Sequence, residues 1–253
     1  MSAVTTPIDS IPMVSTQLQE RVARVEALLG QAALDYAPST LASSLGVEDM
    51  VLADAILRAR LPIEIFTLDT GRLHAETLAL VDRVQERYGY AIKLYRPDEK
   101  AVAGYVNEFG LDAIYDSIEL RTRCCQIRKV EPLQRALAGK QAWVTGMRRA
   151  QAVTRCDLPE SEYDAQYRLW KFNPLADWSE AEVWQYIREY AVPYNPLQDH
   201  GFRSIGCAPC TRATAAGEDL RAGRWWWENP ETKECGLHQR APASDANQQR
   251  NAS

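Results

Sequence analysis

Two cysteine pairs place the tightest demand on how this chain folds: Cys124-Cys125, and Cys207-Ala208-Pro209-Cys210, which begins 82 positions after Cys125. Adjacent cysteines are poor disulfide partners, because closing so small a ring strains the peptide between them. They read better as two thiolates facing a common partner, and the second pair completes a set of four sulfurs. Arg121, Arg123, Arg128 and Lys129 flank the first pair with positive charge. Four thiolates suit zinc or an iron–sulfur cluster. Adjacent ligands crowd one small ion, whereas a four-iron cube offers separate irons to neighbouring sulfurs. The cations would offset and tune the charge of such a cluster. Zinc, and two unrelated pairs of buried or redox cysteines, are the competing readings.

The chain between and before these pairs alternates strands and helices. Leu18, Val22, Val25 and Leu29 keep a helical period over 16–30. Residues 39–43 read as a short buried strand, and Ile63–Leu68 as a clear apolar one. Ile92–Tyr95 and Gln141–Thr145 supply two more, with helices over Asp49–Arg58, His74–Tyr88 and 99–109. That alternation predicts an α/β domain with a mainly parallel sheet flanked by helices. Three strand ends carry polar or Gly-bearing turns, at 43–49, 69–72 and 145–149. Parallel sheets place ligands at such ends. Ser43, Ser44 and Gly46 stand where free backbone N–H groups and a helix N-terminus point at an anion, and Asp69, at the end of the second strand, is a further candidate substrate contact.

Residues 156–168 read as an acidic loop. Ser179-Glu180-Ala181-Glu182 is a capping box that opens a helix, which Pro193 and Pro196 close. Periodicity fades from 211. The chain divides into a flexible arm (1–15), an α/β domain (16–217), a mobile Trp-rich segment (218–238) and a disordered tail (239–253).

A net charge of −5 argues against binding nucleic acid through the global field. No apolar run reaches the roughly 18 residues that cross a bilayer, and the first 17 residues lack the pattern of a signal peptide. The expected location is cytoplasmic. Six cysteines in a reducing compartment favour metal binding or catalysis over disulfides.

Cys235 stands apart in a polar stretch, so burial does not explain it; beside His238 it is a candidate nucleophile, or an incidental surface thiol. Arg221 and Arg224, three apart, suit gripping an anionic substrate. The Trp225-Trp226-Trp227 run could stack on a base or anchor the segment to the domain surface.

Six stretches, in this order, resemble assimilatory adenylyl-sulfate reductase: Ser43-Ser44-Leu45-Gly46-Val47-Glu48-Asp49, Leu68-Asp69-Thr70-Gly71-Arg72, the run Arg123-Cys124-Cys125 to Leu133, Thr145-Gly146-x-Arg148-Arg149, Gly206-Cys207-x-Pro209-Cys210-Thr211-Arg212, and Lys233-Glu234-Cys235-Gly236-Leu237-His238. The resemblance covers roughly 35–238. It implies an adenine-nucleotide α-hydrolase-like fold and one 4Fe–4S cluster per chain, held by Cys124, Cys125, Cys207 and Cys210. It implies Cys235 as the nucleophile that takes sulfonate from adenosine 5′-phosphosulfate, with thioredoxin or a glutaredoxin-like donor freeing sulfite. Ser43, Ser44 and Gly46 would form the phosphate loop. Lys129 would link cluster and substrate, and Arg155, Arg221 and Arg224 would face the phosphosulfate. Relatives that use the 3′-phosphorylated nucleotide generally lack both cysteine pairs. A homo-oligomer is expected.

Overall fold

The structure is a computed structural model that describes residues 16–151, 155–229 and 237. Strands β1 (Ser39–Ala42), β2 (Ile63–Leu68), β3 (Lys93–Tyr95), β4 (Ala142–Val144), β5 (Ser161–Asp164) and β6 (Leu169–Phe172) form one sheet in the order β3-β2-β1-β4-β6-β5. All neighbours pair parallel except β5 and β6. Ser39 lies opposite both Ile63 and Ala142, so the strand ends fall in line. The chain runs outward from β1 to β2 and β3, then returns to place β4 on the other side of β1. Such a reversal leaves a crevice at the carboxyl ends of β1 and β4.

Helices cover the sheet: α1 (Thr16–Leu34), α2 (Val47–Arg58), α3 (Ala75–Tyr88), α4 (Glu99–Phe109), α5 (Ile118–Cys125), α6 (Glu131–Leu137) and α7 (Glu180–Glu189). On α1 the buried residues Leu18, Val22, Val25, Leu29 and Ala32 follow the helical repeat and join the main core. Helix α3 ends at Gly89, whose φ of 65° is the left-handed turn that glycine adopts without a Cβ clash. The capping box that opens α7 is made, with Ser179 and Glu182 exchanging hydrogen bonds.

Burying α2 almost all round places one carboxylate inside the core. Asp54, fully buried, accepts hydrogen bonds from Tyr88 Oη at 2.8 Å, Tyr186 Oη at 2.7 Å and Arg58 Nε at 3.0 Å. It thereby ties α2 to α3 and α7, and burial beside it raises both tyrosines' pKa. Asp54→Ala deprives the Tyr88 and Tyr186 hydroxyls of their acceptor, which costs about 1–3 kcal/mol for each buried group left unsatisfied. The expected result is a lower denaturant midpoint with unchanged specific activity in the folded fraction, because Asp54 lies outside the cavity described below.

Two stretches differ from the sequence expectation. The acidic loop over 156–168 contains β5, and β6 follows it as a hairpin. Lys171 hides the alternation of β6: it is buried, with Nζ 5.3 Å from the Trp143 ring centre and 3.8 Å from Glu162. The second stretch is 118–137, to which the apolar pattern assigned no helix. There α5 runs through a π-helical turn (Gln126–Val130) into α6. No helix among the described residues is long and apolar enough to cross a membrane.

Candidate active site

The turn after β1 is built around one buried carboxylate. Asp49 Oδ2 accepts from Ser44 N–H at 2.5 Å and Ser44 Oγ at 2.7 Å, while Oδ1 accepts from Gly146 N–H at 3.1 Å. Asp49 thus staples the strand-end turn of β1 to that of β4. A Cβ on Gly146 would stand 2.3 Å from this carboxylate, so the close approach requires glycine. Burial pushes the Asp49 carboxyl up to about 6, and the Ser44 hydroxyl and N–H restrain the rise. Its neighbour Glu48 Oε1 accepts from Arg148 Nε at 2.9 Å and from Gln151 Nε2 at 3.1 Å. Gln151 Oε1 in turn accepts from Arg155 Nη1 at 2.6 Å.

These turns floor a cavity of about 240 Å³ at the crevice between β1 and β4. Ser43, Ser44, Gly46, Lys129, Arg155, Arg221 and Arg224 all line it. Leu68, Leu133, Trp143 and Leu237 give it an apolar side, suited to a flat base. Asp69 does not line the cavity, and its carboxylate accepts from Gly71 N–H at 3.1 Å and Arg96 Nε at 2.9 Å. It directly follows β2, and its neighbours Leu68 and Thr70 line the cavity. Arg203 lines it too and was not foreseen. Its signal was faint, a single cation in an aperiodic stretch. Cys235 lies outside the described residues, but Leu237, two positions later, lines the cavity and accepts from Tyr167 Oη at 3.5 Å.

The two cysteine pairs meet. Cys124, Cys125, Cys207 and Cys210 share one buried cluster with Tyr105, Ile114 and Trp225, and edge one small cavity. The turn after β2 clasps the second pair. Thr70 Oγ1 lies 3.2 Å from Cys207 Sγ, Ala208 N–H donates to Arg72 O at 2.8 Å, and Arg128 Nη1 donates to Thr70 O at 2.7 Å. Arg72, Arg121, Arg128 and Lys129 line the same cavity. Arg123 does not: it lies over the Phe109 ring and pairs with Glu108 at 3.4 Å on the surface. Arg72 supplies the cation expected there.

Burial raises the Cys124 thiol and, with Cys207 nearby, pushes Cys210 up to about 11. Cys207 goes the other way. Burial alone would raise it, but Lys129, the Thr70 hydroxyl, Arg224 and Arg72 together hold it below the ordinary thiol value. Among the described residues no group of three or more His, Cys, Asp or Glu is placed to hold a metal ion. The donor set is four soft sulfurs around a space, ringed by cations, and the Trp225 indole N–H is buried against them without a partner. Those features fit an anionic iron–sulfur cluster in chemistry and charge.

Segment 218–238 reads as mobile in sequence; its described residues, 218–229 and 237, contribute Trp225, Arg221, Arg224 and Leu237 to this site. Trp225 is fully buried among the cysteines, which makes the Trp run an anchor at its first ring. Lys129 and Cys207 line both cavities, so the sulfur site and the anion-facing wall share side chains.

The model of the phosphoadenosine phosphosulfate reductase domain matches residues 38–213. A relative from Allochromatium vinosum named adenosine 5′-phosphosulfate reductase is 59% identical over 230 residues, covering 90% of each chain. The solved phosphoadenylyl-sulfate reductase of Candida auris, a phosphate complex, superposes with TM-score 0.64 at 27% identity, over 80% of this chain and 100% of its own. The FMN adenylyltransferase of Candida glabrata superposes with TM-score 0.54 at 17% identity, over 96% of this chain and 83% of its own, a likeness of fold alone. Such neighbours place the sheet in the adenine-nucleotide α-hydrolase fold.

Proposed function

We propose that this chain, which belongs to the phosphoadenosine phosphosulfate reductase domain family, reduces adenosine 5′-phosphosulfate to sulfite and AMP in sulfate assimilation. The observation that carries this reading is the junction of the two cavities at Lys129 and Cys207, beneath a wall of cations. The apolar side takes the adenine, and the turn at Ser43–Gly46 receives the phosphate at the N-terminal end of α2. Lys129, Arg155, Arg221 and Arg224 neutralise the phosphosulfate and stabilise the leaving phosphate.

The Cys235 thiolate attacks the substrate sulfur. A sulfur–sulfur bond forms, the bond from sulfur to the phosphate oxygen breaks, and AMP leaves with the electron pair. A thiolate of a thioredoxin-type donor then attacks the Cys235 sulfur. Sulfite leaves with its electron pair, which leaves a mixed disulfide; the donor's second thiolate attacks the donor sulfur of that bond, closes the donor's own disulfide and expels the Cys235 thiolate. The donor supplies both electrons. Cys124, Cys125, Cys207 and Cys210 would hold one 4Fe–4S cluster, whose bound charge would set the field around Lys129 and Arg128.

Anaerobic purification followed by iron, acid-labile sulfide and sulfite assays tests the reading. About four irons and four sulfides per chain are expected, with sulfite released far faster from adenosine 5′-phosphosulfate than from its 3′-phosphorylated form. Zinc without sulfide would remove the cluster, and preference for the 3′-phosphorylated nucleotide would overturn the substrate.

A further inference from the structure

One buried ion pair lies beside the cysteine site. Arg121 of α5 and Glu228 have side chains only 1% and 3% exposed. They are joined by hydrogen bonds from Nε at 2.8 Å and Nη2 at 2.7 Å. Desolvating such a pair is costly, and apolar side chains often serve stability as well or better. Its surroundings show what it holds. The Arg121 guanidinium carbon lies 4.9 Å from the centre of the Trp225 ring, and that of Arg224 lies 4.6 Å from the same centre. Glu228 N–H donates to Trp225 O at 2.8 Å, and Trp225 N–H donates to Cys210 O at 3.2 Å. Trp225 has a φ of 41°, in the left-handed region that costs a bulky side chain energy. A buried pair on one side and the cysteine loop on the other hold it there.

Arg224 is fixed from its far side as well. A Cβ on Gly206 would stand 2.4 Å from its guanidinium, so the side chain lies flat on that backbone. The series therefore runs from Glu228 through Arg121, the Trp225 ring and Arg224 to the wall of the anion cavity. Arg121 also faces the Cys125 thiol, which joins the same series to the cysteine site.

We propose that Glu228 is a positioning residue for this reaction: by holding Arg121 against Trp225, it fixes the Arg224 guanidinium in the cavity wall before substrate arrives. A cation ordered in advance grips an oxyanion without the entropy loss of ordering a long side chain. The proposal rests on the substrate reading above.

The test is calorimetric binding of adenosine 5′-phosphosulfate to metal-loaded protein in a Cys235→Ser background, where no turnover intervenes. Glu228→Gln is expected to weaken binding about tenfold, or about 1.4 kcal/mol, with iron content unchanged. The same change in an Arg224→Ala background should have no further effect, since its route to the substrate is gone. Unchanged affinity in Glu228→Gln overturns the proposal, as does an equal weakening with and without Arg224. Should Glu228→Gln fail to fold, the double variant Arg121→Met/Glu228→Leu removes both charges at once. It should show the same weakening and the same dependence on Arg224, and wild-type affinity in it overturns the proposal. A Cys235→Ser parent that binds no substrate overturns the substrate reading itself, and the role of Glu228 falls with it.

Discussion

Cys235→Ser should leave a protein that binds adenosine 5′-phosphosulfate, retains its iron and releases no sulfite. A serine hydroxyl is un-ionised at neutral pH and cannot be resolved by a thiol donor, so the loss is expected at about 10⁴–10⁶-fold. The chain from Cys235 to Leu237 spans at most about 7 Å, and Leu237 lines the cavity. Incubating wild-type protein with substrate and no donor should add one sulfonate to the peptide bearing Cys235, read by mass spectrometry. Cys156 is the internal control: it is an exposed free thiol, and Cys156→Ser should leave the adduct and the rate unchanged. A sulfonate found on Cys156, or on any peptide other than that of Cys235, would contradict the assignment.

Strands β2 and β4 were legible as short apolar runs closed by polar turns, and β1, Ser-Thr-Leu-Ala, by the polar, Gly-bearing turn that follows it. The helical stretches between them required parallel pairing. Asp69 shows the limit of that rule: its neighbours Leu68 and Thr70 line the cavity, while its own carboxylate accepts from Gly71 N–H and Arg96. Which residues of a strand-end turn face the crevice depends on the hydrogen bonds inside the turn, and these have no local sequence signal. The run 118–137 was illegible for a different reason. Its inward face carries Arg121, Arg128 and Lys129 beside the cysteines, so the usual apolar stripe is replaced by buried cations. Arg121 is paired there with Glu228, and Arg128 donates to the Thr70 carbonyl.

Glu48 and Asp49 look like acids that merely complement a helix N-terminus. Their use appears only when Arg148 and Gly146 arrive from the end of β4. Likewise Arg221 and Arg224 were legible as an anion grip. The pair Arg121–Glu228 was not, because 107 residues separate its members and nothing local signals it. The cysteines were the most legible feature of the site. Their spacing offered a joint reading beside that of two unrelated pairs, and the structure gathers all four into one buried cluster.

Lys129→Ala should lower kcat/KM by about 10²–10³-fold, the usual loss when a preorganised group that meets developing charge is removed. Lys129 is nine-tenths buried and lines both cavities. It is also the strongest influence drawing the Cys207 thiol down against burial. It therefore has two possible points of action, and measurements on one preparation separate them. If it acts on the substrate, iron and sulfide stay at wild-type levels, KM rises and formation of the Cys235 sulfonate slows. If it acts by neutralising the cysteine site, iron falls in step with activity, and reloading the metal restores the rate. The first outcome is expected, because Arg72, Arg121 and Arg128 remain around the sulfurs when Lys129 is removed. Lys129→Arg should recover little. A planar guanidinium carries the charge but cannot occupy the compact position of an ammonium between the two cavities, so a full rescue by arginine would mean that charge alone is required there.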